Sequence, residues 1–284
     1  MSVEIAEITA SDVPVAAQFL HDELNPAVSA AAWRGLLQPP WHTGPNSGFL
    51  ARVDGRVVGV YAAVYSSREV DSETVPVCNL AAFCVLEEYR MHGLRLVRAL
   101  LKQPGYVFTD LSPSGNVVAM NERLGFRRLP GDTKLVVNLP RLGRRGLRLS
   151  ADPAVLTATL RGRDAQAYRD HRDAAAARHL LVQRDGRHAY LVFRADSRKR
   201  LRLFATPLYV GGDRELLGSA WPQVRAHLLL RHRLPFTLAE TRLLPFRVGL
   251  GRRIAQPRPK MIRGDALPAA QVDYLYSELA LVSW

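Results

Sequence analysis

The chain has 284 residues, 48% of them apolar and 23% charged, with a formal net charge of +13. This length leaves room for two domains with a core each, and the composition excludes a disordered chain. No apolar run approaches the roughly eighteen residues of a membrane span, and the start Met-Ser-Val-Glu-Ile lacks the basic and apolar segments of a signal peptide.

The first half reads as a strand at Val3–Ile8, a helix near Val13–Leu20 and a second helix around Val28–Leu37. After a Pro- and Gly-rich loop comes a hairpin, Phe49–Val53 and Arg56–Tyr65, joined by Asp54-Gly55, a strong turn signal. Polar residues Ser66–Thr74 connect to an apolar strand, Val77–Leu86. Cys78 and Cys84 lie six apart on that strand, about 20 Å at strand rise, so they do not bridge each other. Unpaired cysteines fit a reducing, cytoplasmic setting.

The strand leads through Tyr89-Arg90-Met91-His92-Gly93-Leu94-Arg95 into a helix, Leu94–Lys102. The start of such a helix exposes backbone N–H donors and the positive end of its dipole, which suits an anion. Gly93 allows close approach of a phosphate, and Arg90 adds charge. An ordinary turn with a surface arginine remains the bland alternative. A buried strand, Tyr106–Asp110, follows, then Leu111-Ser112-Pro113-Ser114-Gly115-Asn116 and a helix from about Val117 that closes at Asn121-Glu122-Arg123-Leu124-Gly125-Phe126. Gly125 suits the position after a helix end. Lys134–Asn138 reads as a final strand and Pro140–Arg148 as an exposed linker.

The second half repeats this plan. Leu181-Val-Gln-Arg-Asp185-Gly186-Arg187 echoes Leu50-Ala-Arg-Val-Asp54-Gly55-Arg56. Hairpin strands Leu180–Gln183 and Arg187–Arg194 precede a turn at Asp196–Arg200, a strand at Leu201–Val210, a helix near Glu215–Arg231 and a strand at Phe236–Arg242. Asp213 reads as the helix N-cap, and Pro222 is expected to kink or divide the helix. A last pattern covers Gln271–Val282.

Valine, Tyr-Arg and glycine at Val85, Tyr89, Arg90 and Gly93, followed by Gly125-Phe126, resemble the signature of the GNAT superfamily of N-acetyltransferases over about residues 1–138. With the repeat, the resemblance implies an α/β fold of two tandem GNAT-like domains, each a mostly antiparallel sheet flanked by helices. Residues 1–140 would hold the acyl-CoA site; residues 150–284 would form a degenerate copy that shapes or covers the acceptor side. The degenerate copy has Gly211-Gly212-Asp213 where the first has Arg90 to Gly93, and a carboxylate there competes with an anion.

The implied activity is an acyl-CoA-dependent N-acyltransferase, with acetyl-CoA as donor and direct attack by a small amine, such as an amino sugar or amino acid derivative. Met91, His92, Gly93, Leu94 and Arg95 with Arg90 would hold the pyrophosphate, Arg95 standing where the family has a small residue. Phe83, Cys84 and Val85 would polarise the carbonyl through backbone N–H groups. Ser114, Asn116 and Asn121 complete the expected cofactor set. Asn121 stands where the family has a tyrosine acid, and Asn79 where some members have a glutamate base; neither exchanges a proton at neutral pH. Asp110 and Ser112 are the nearby substitutes, so Asp110, Ser112 and Asn79 are the candidate catalytic residues. Turn and N-cap roles for Ser112 and Ser114, and a solvated strand end for Asp110, are the plainer alternatives. Cys84 reads as structural rather than nucleophilic.

Trp33, Trp41, Tyr61 and Tyr65 are core or pocket aromatics, and Tyr274 and Tyr276 share a face if their segment is a strand. The histidines lack metal-ligand spacing, so no metal is expected. The first 150 residues hold 16 Lys and Arg against 14 Asp and Glu, the remainder 23 against 12. The basic half invites an anionic partner, yet no basic-aromatic interleaving supports nucleic acid. Two other readings stay open: a degenerate module that binds CoA or a partner without turnover, and a transferase whose donor rides on an acyl-carrier protein docked by the basic half.

Overall fold

The structure is a computed structural model that describes residues 2–113, 115, 117–198 and 201–283, the side chain of Arg198 excepted. The chain forms two compact units, Met1–Leu129 with Arg258–Val272 and Tyr276–Ser283, and Pro130–Pro257 with Asp273–Leu275.

The first unit begins with β1 (Glu4–Glu7), α1 (Val13–Phe19), which runs on through a π-turn at Leu20–Leu24, and α2 (Ala30–Leu37). Ser29 caps α2, its Oγ accepting from the Ala32 N–H at 3.2 Å. Then come β2 (Gly48–Val53), β3 (Arg56–Val70), β4 (Glu73–Val85), a 3₁₀ turn at Glu87–His92, α3 (Gly93–Leu101), β5 (Val107–Asp110), α4 (Val117–Arg123) and β6 (Arg127–Arg128). The Asp54-Gly55 turn forms as expected, with both residues at positive φ. The polar stretch Ser66–Thr74 belongs mostly to β3 and β4. Its backbone groups are paired across the ladder, and only Asp71 and Ser72, also at positive φ, turn the chain.

The second unit contains β7 (Thr133–Val137), β8 (Arg148–Ser150), α5 (Pro153–Thr159), α6 (Gly162–His171), β9 (Arg178–Arg184), β10 (Arg187–Arg198), β11 (Leu201–Gly212), α7 (Arg214–His232), β12 (Phe236–Glu240) and β13 (Gly251–Arg253). The chain then returns to the first unit with β14 (Met261–Arg263) and the short α8 (Glu278–Leu281).

Among the described residues each unit has a seven-stranded mixed sheet, ordered β1-β2-β3-β4-β5-β14-β6 and β13-β7-β12-β11-β10-β9-β8. The strand expected at Lys134–Asn138 forms, but in the second sheet, between β12 and β13. Its place in the first sheet is taken by β14, which pairs with β5 and β6. The repeat is real at the level of topology. A second Asp-Gly turn at Asp185-Gly186 joins β9 to β10, and β11 pairs in parallel with β12 as β4 does with β5.

Burial explains why the helices settle where they do. On α3, Leu96, Val97 and Leu100 form one apolar stripe against Val58, Tyr61, Cys78, Phe108 and Met261. In the second unit β9 and β10 are buried along Leu180–Val182 and Ala189–Phe193, and α7 turns Leu217, Trp221, Val224 and Leu228 inward. Asp213 caps α7, its Oδ1 accepting from the Leu216 N–H at 2.8 Å. Pro222 lies inside α7 without dividing it.

Candidate functional site

The site begins with a parting of strands. β4 and β5 pair in parallel only over Val77–Asn79 and Val107–Thr109. Beyond Asn79, β4 carries one extra residue between the pairs Ala63–Leu80 and Tyr61–Phe83, a bulge that bends it, and stays with β3 as far as Val85. β5 turns instead to β14, with Asp110 opposite Met261. Among the described residues no strand pairs with the β5-side edge of β4 from Ala81 to Val85. Because strand backbones alternate direction, some N–H and C=O groups of this segment face that open edge. Phe83, Cys84 and Val85 lie on it, all half-buried.

The second unit has the same plan, but one group on the corresponding edge is taken by another segment. β11 carries its own register slip between Phe193–Pro207 and Val192–Tyr209, and its parallel pairing with β12 covers only Phe204–Ala205. The carbonyl of Leu208, within the slip, accepts from the Tyr274 N–H at 2.9 Å.

Where β4 and β5 part, a buried polar network gathers. Asp110 is 5% exposed, and Glu278, from α8, is 0% exposed. Asn79 donates to Glu278 Oε2 at 2.8 Å and accepts from Thr109 Oγ1 at 3.0 Å. The Ser112 hydroxyl donates to Glu278 Oε1. Asp110 accepts from Asn121 Nδ2 at 2.8 Å and from the Ser112 N–H at 3.3 Å. Asn121 is wholly buried, and its Oδ1 has no hydrogen-bond partner among the described residues. Burial, then the charge of Glu278, pushes the Asp110 carboxyl up to about 7. Glu278 is also raised, by burial, while its hydrogen bonds from Ser112 and Asn79 and the charge of Lys260 act in the opposite direction. Two carboxyls sharing one dry site separate their protonation states, the arrangement that suits acid–base work.

The structure brings Asp110, Ser112 and Asn79 together and places Asn121 with them, on Asp110 rather than on a groove. Ser114 and Asn116 lie outside the described residues. The segment at the start of α3 differs from an open loop. Glu87–His92 is a 3₁₀ turn, and the Gly93 N–H donates to the Arg90 carbonyl. Gly93 is buried, and a Cβ there would stand 3.0 Å from Phe83 Cζ, so its missing side chain makes room for that ring. Gly93 therefore has a packing reason for lacking a side chain, beside the phosphate-approach expectation. Around it the surface is open: Met91 is 80% exposed, Leu94 and Arg95 are exposed, and His92 is half-buried. Arg90 is exposed and pairs with Glu87 at 3.4 Å. Arg95 is exposed, and its guanidinium lies 3.5 Å from Nδ1 of His92, the residue just before α3. Burial pushes the Cys84 thiol up to about 11, which removes it as a nucleophile at neutral pH. Both cysteines are free.

The sequence reading missed Glu278. Its signal was present: a lone carboxylate in the apolar run Tyr274-Leu-Tyr-Ser-Glu278-Leu-Ala-Leu, just after the N-cap Ser277. Tyr274 and Tyr276 do not share a strand face. Tyr276 has φ 53°, which breaks any extended segment, and the two residues belong to different units. Tyr274 pairs with Glu240 and Arg242 in the second unit. In the first, Tyr276 meets the edge of Trp41 and lies under the Arg68 guanidinium.

No protein-family model and no curated protein matches the sequence. Solved structures do match in fold. A GCN5-related N-acetyltransferase from Anabaena variabilis is 13% identical with a TM-score of 0.57, over 92% of this chain and 72% of that one. A GCN5-related N-acetyltransferase from Kribbella flavida is 14% identical with a TM-score of 0.55, over 92% and 70%. An N-myristoyltransferase from Saccharomyces cerevisiae, solved with bound myristoyl-CoA, is 11% identical with a TM-score of 0.55, over 100% and 85%. The chain therefore has the mixed α/β fold of the GCN5-related N-acetyltransferases and N-acyltransferases. Among the described residues no helix is long and apolar enough to cross a membrane, and no group of His, Cys, Asp or Glu could hold a metal ion.

Proposed function

We propose that the chain is an acyl-CoA-dependent N-acyltransferase whose donor site lies in the first unit, with acetyl-CoA as the donor and a small amine as the acceptor. The observation that carries this reading is the unpaired edge of β4 from Ala81 to Val85, which begins just past the Asn79–Thr109 pair, where β5 goes on to Asp110. An extended pantetheine arm carries amides and adds to such an edge as a strand would. N–H groups of Phe83 to Val85 then stand beside the thioester carbonyl and stabilise the oxyanion as charge develops. The exposed Arg90 and Arg95, with His92 and the backbone from Met91 to Leu94, are the groups available to the pyrophosphate. In the second unit the matching edge of β11 is held by Tyr274, which favours one donor site per chain.

The acceptor amine attacks the thioester carbon, the C–N bond forms, and the C–S bond breaks. Asp110, with its carboxyl near 7, is the group suited to pass a proton to the leaving sulfur, and Ser112 is suited to receive the amine. The buried carboxyls favour a cationic acceptor such as an amino sugar or amino acid derivative. Two unpaired cysteines fit a reducing cytoplasm.

Acetyl-CoA at about a hundred times its dissociation constant should stabilise the protein by about 2.7 kcal/mol, a rise of several degrees in melting temperature. Thiol release in the presence of amines should accompany it. Stabilisation without thiol release would identify a binding module, and an unchanged melting curve at millimolar acetyl-CoA would contradict the reading altogether.

A further inference from the structure

The chain goes to unusual lengths to deliver Glu278. Its segment enters the first unit at Tyr276, a non-glycine residue at φ 53°, a conformation that costs energy unless its surroundings impose it. The surroundings are visible: the Tyr276 ring meets Trp41 edge-on with centroids 5.3 Å apart, and Arg68 lies 4.5 Å above its face. Ser277 caps the next turn, its Oγ accepting from the Leu279 N–H at 3.2 Å, and α8 packs against α2. The product of this fixation is a carboxylate with no solvent exposure, one oxygen on Asn79 and the other on Ser112. An apolar side chain would fill such a position at less cost, since a buried carboxyl must be supplied with partners. Within the network Asn79, Thr109, Asp110, Asn121 and Glu278 are all buried, and Ser112 is the half-buried member.

We propose that Glu278 holds the proton given up by the acceptor amine and receives it through Ser112, so that Ser112 touches the amine and Glu278 acts through it. This inference rests on the acyltransferase reading. As the amine nitrogen bonds to the thioester carbon, its proton moves to Ser112 Oγ while the Ser112 proton moves to the Glu278 carboxylate. The sulfur leaves with the C–S electron pair and takes the Asp110 proton. Glu278 then releases the amine's proton to solvent and Asp110 takes one back from solvent, so the proton count closes for a neutral amine. Lys260 acts on Glu278 electrostatically, Glu278 in turn raises Asp110 and Tyr61, and Asn79 and Ser112 are its side-chain hydrogen-bond partners. On α2 the one ionisable side chain, Arg34, faces solvent.

The test uses the full chain with acetyl-CoA, and glucosamine, spermidine and lysine methyl ester as amine probes. E278Q preserves shape and a contact for Asn79, so its circular dichroism and CoA-induced stabilisation should match the wild type. Its kcat should fall by about 100-fold or more, with KM for acetyl-CoA within about threefold. The acidic limb of the kcat–pH profile that Glu278 supplies should vanish, and E278D should restore part of the rate. S112A, its fold checked by the same circular dichroism, should lose a similar factor, and S112A/E278Q should lose little more, as residues acting in one path do. An E278Q enzyme with near-normal kcat and an intact acidic limb overturns the inference, as do losses that multiply in the double variant. In either case the acyltransferase reading survives, because the wild type binds CoA and releases thiol. A wild type that releases no thiol with any of the three amines overturns both.

Discussion

Asp110→Asn should make the protein more stable at pH 8 and nearly inactive. Burial and the neighbouring Glu278 lift the Asp110 carboxyl from 3.8 to about 7 in the folded protein. The native state therefore holds a proton that the unfolded chain has released, and stability falls as pH rises between those values. The contribution is fully present below 3.8 and lost once pH passes about 7. At about 1.4 kcal/mol for each tenfold change in proton affinity, the loss amounts to about 4 kcal/mol by pH 8. Asparagine has no charge to bury and keeps one oxygen to accept from Asn121 Nδ2 or from the Ser112 N–H, so the variant escapes that loss at the expense of one hydrogen bond. Urea denaturation at pH 4 should show wild type and variant within about 1 kcal/mol, and at pH 8 the variant should be ahead by up to about 4 kcal/mol. Turnover should fall by about 100-fold or more. A stability difference equal at both pH values would mean that Asp110 is not the group under strain.

Trp221→Ala should be the most damaging single truncation in the second unit. The indole is buried on α7, donates from Nε1 to the Val248 carbonyl at 3.0 Å, and meets Phe246 with ring centroids 5.6 Å apart. Large-to-small changes of this kind cost about 3–5 kcal/mol, and the Val248 carbonyl would also be left without its donor. Denaturant unfolding followed by far-ultraviolet circular dichroism should show a transition at lower denaturant, with the loss confined to the second unit's share of the signal. A change under about 1 kcal/mol would show that this cavity refills by repacking.

Local chemistry made much of the fold legible. Asp-Gly at 54–55 and 185–186 specified two hairpins, the Leu96–Leu100 stripe specified α3, and Gly125, at φ 87°, ends α4 as read. Pairing between distant segments was not legible. Thr133–Val137 reads equally well as an edge for either sheet, because a strand's own pattern fixes which face is buried and not which neighbour it joins. Met261–Arg263 is too short to announce itself, yet it completes the first sheet. The Arg-x-x-Gly stretch read correctly as the entry to α3, but sequence shows a glycine without showing what stands where its side chain would be, here the ring of Phe83.

The candidate site was half visible. Asn79, Asp110 and Ser112 lie near the parting of two strands that sequence could place, and they do converge. Glu278 is 199 residues from Asn79, and a short helix after a positive-φ tyrosine leaves no periodic trace. What it did leave was a charge without an apparent reason in an apolar segment.

Backbone hydrogen exchange with and without CoA tests the central claim most directly, because it reads the β4 edge itself. With saturating CoA, amides from Ala81 to Leu94 should exchange at least tenfold more slowly, while those of β11 stay unchanged. Protection that falls elsewhere, or none at all under conditions where CoA stabilises the fold, would contradict a donor site on that edge.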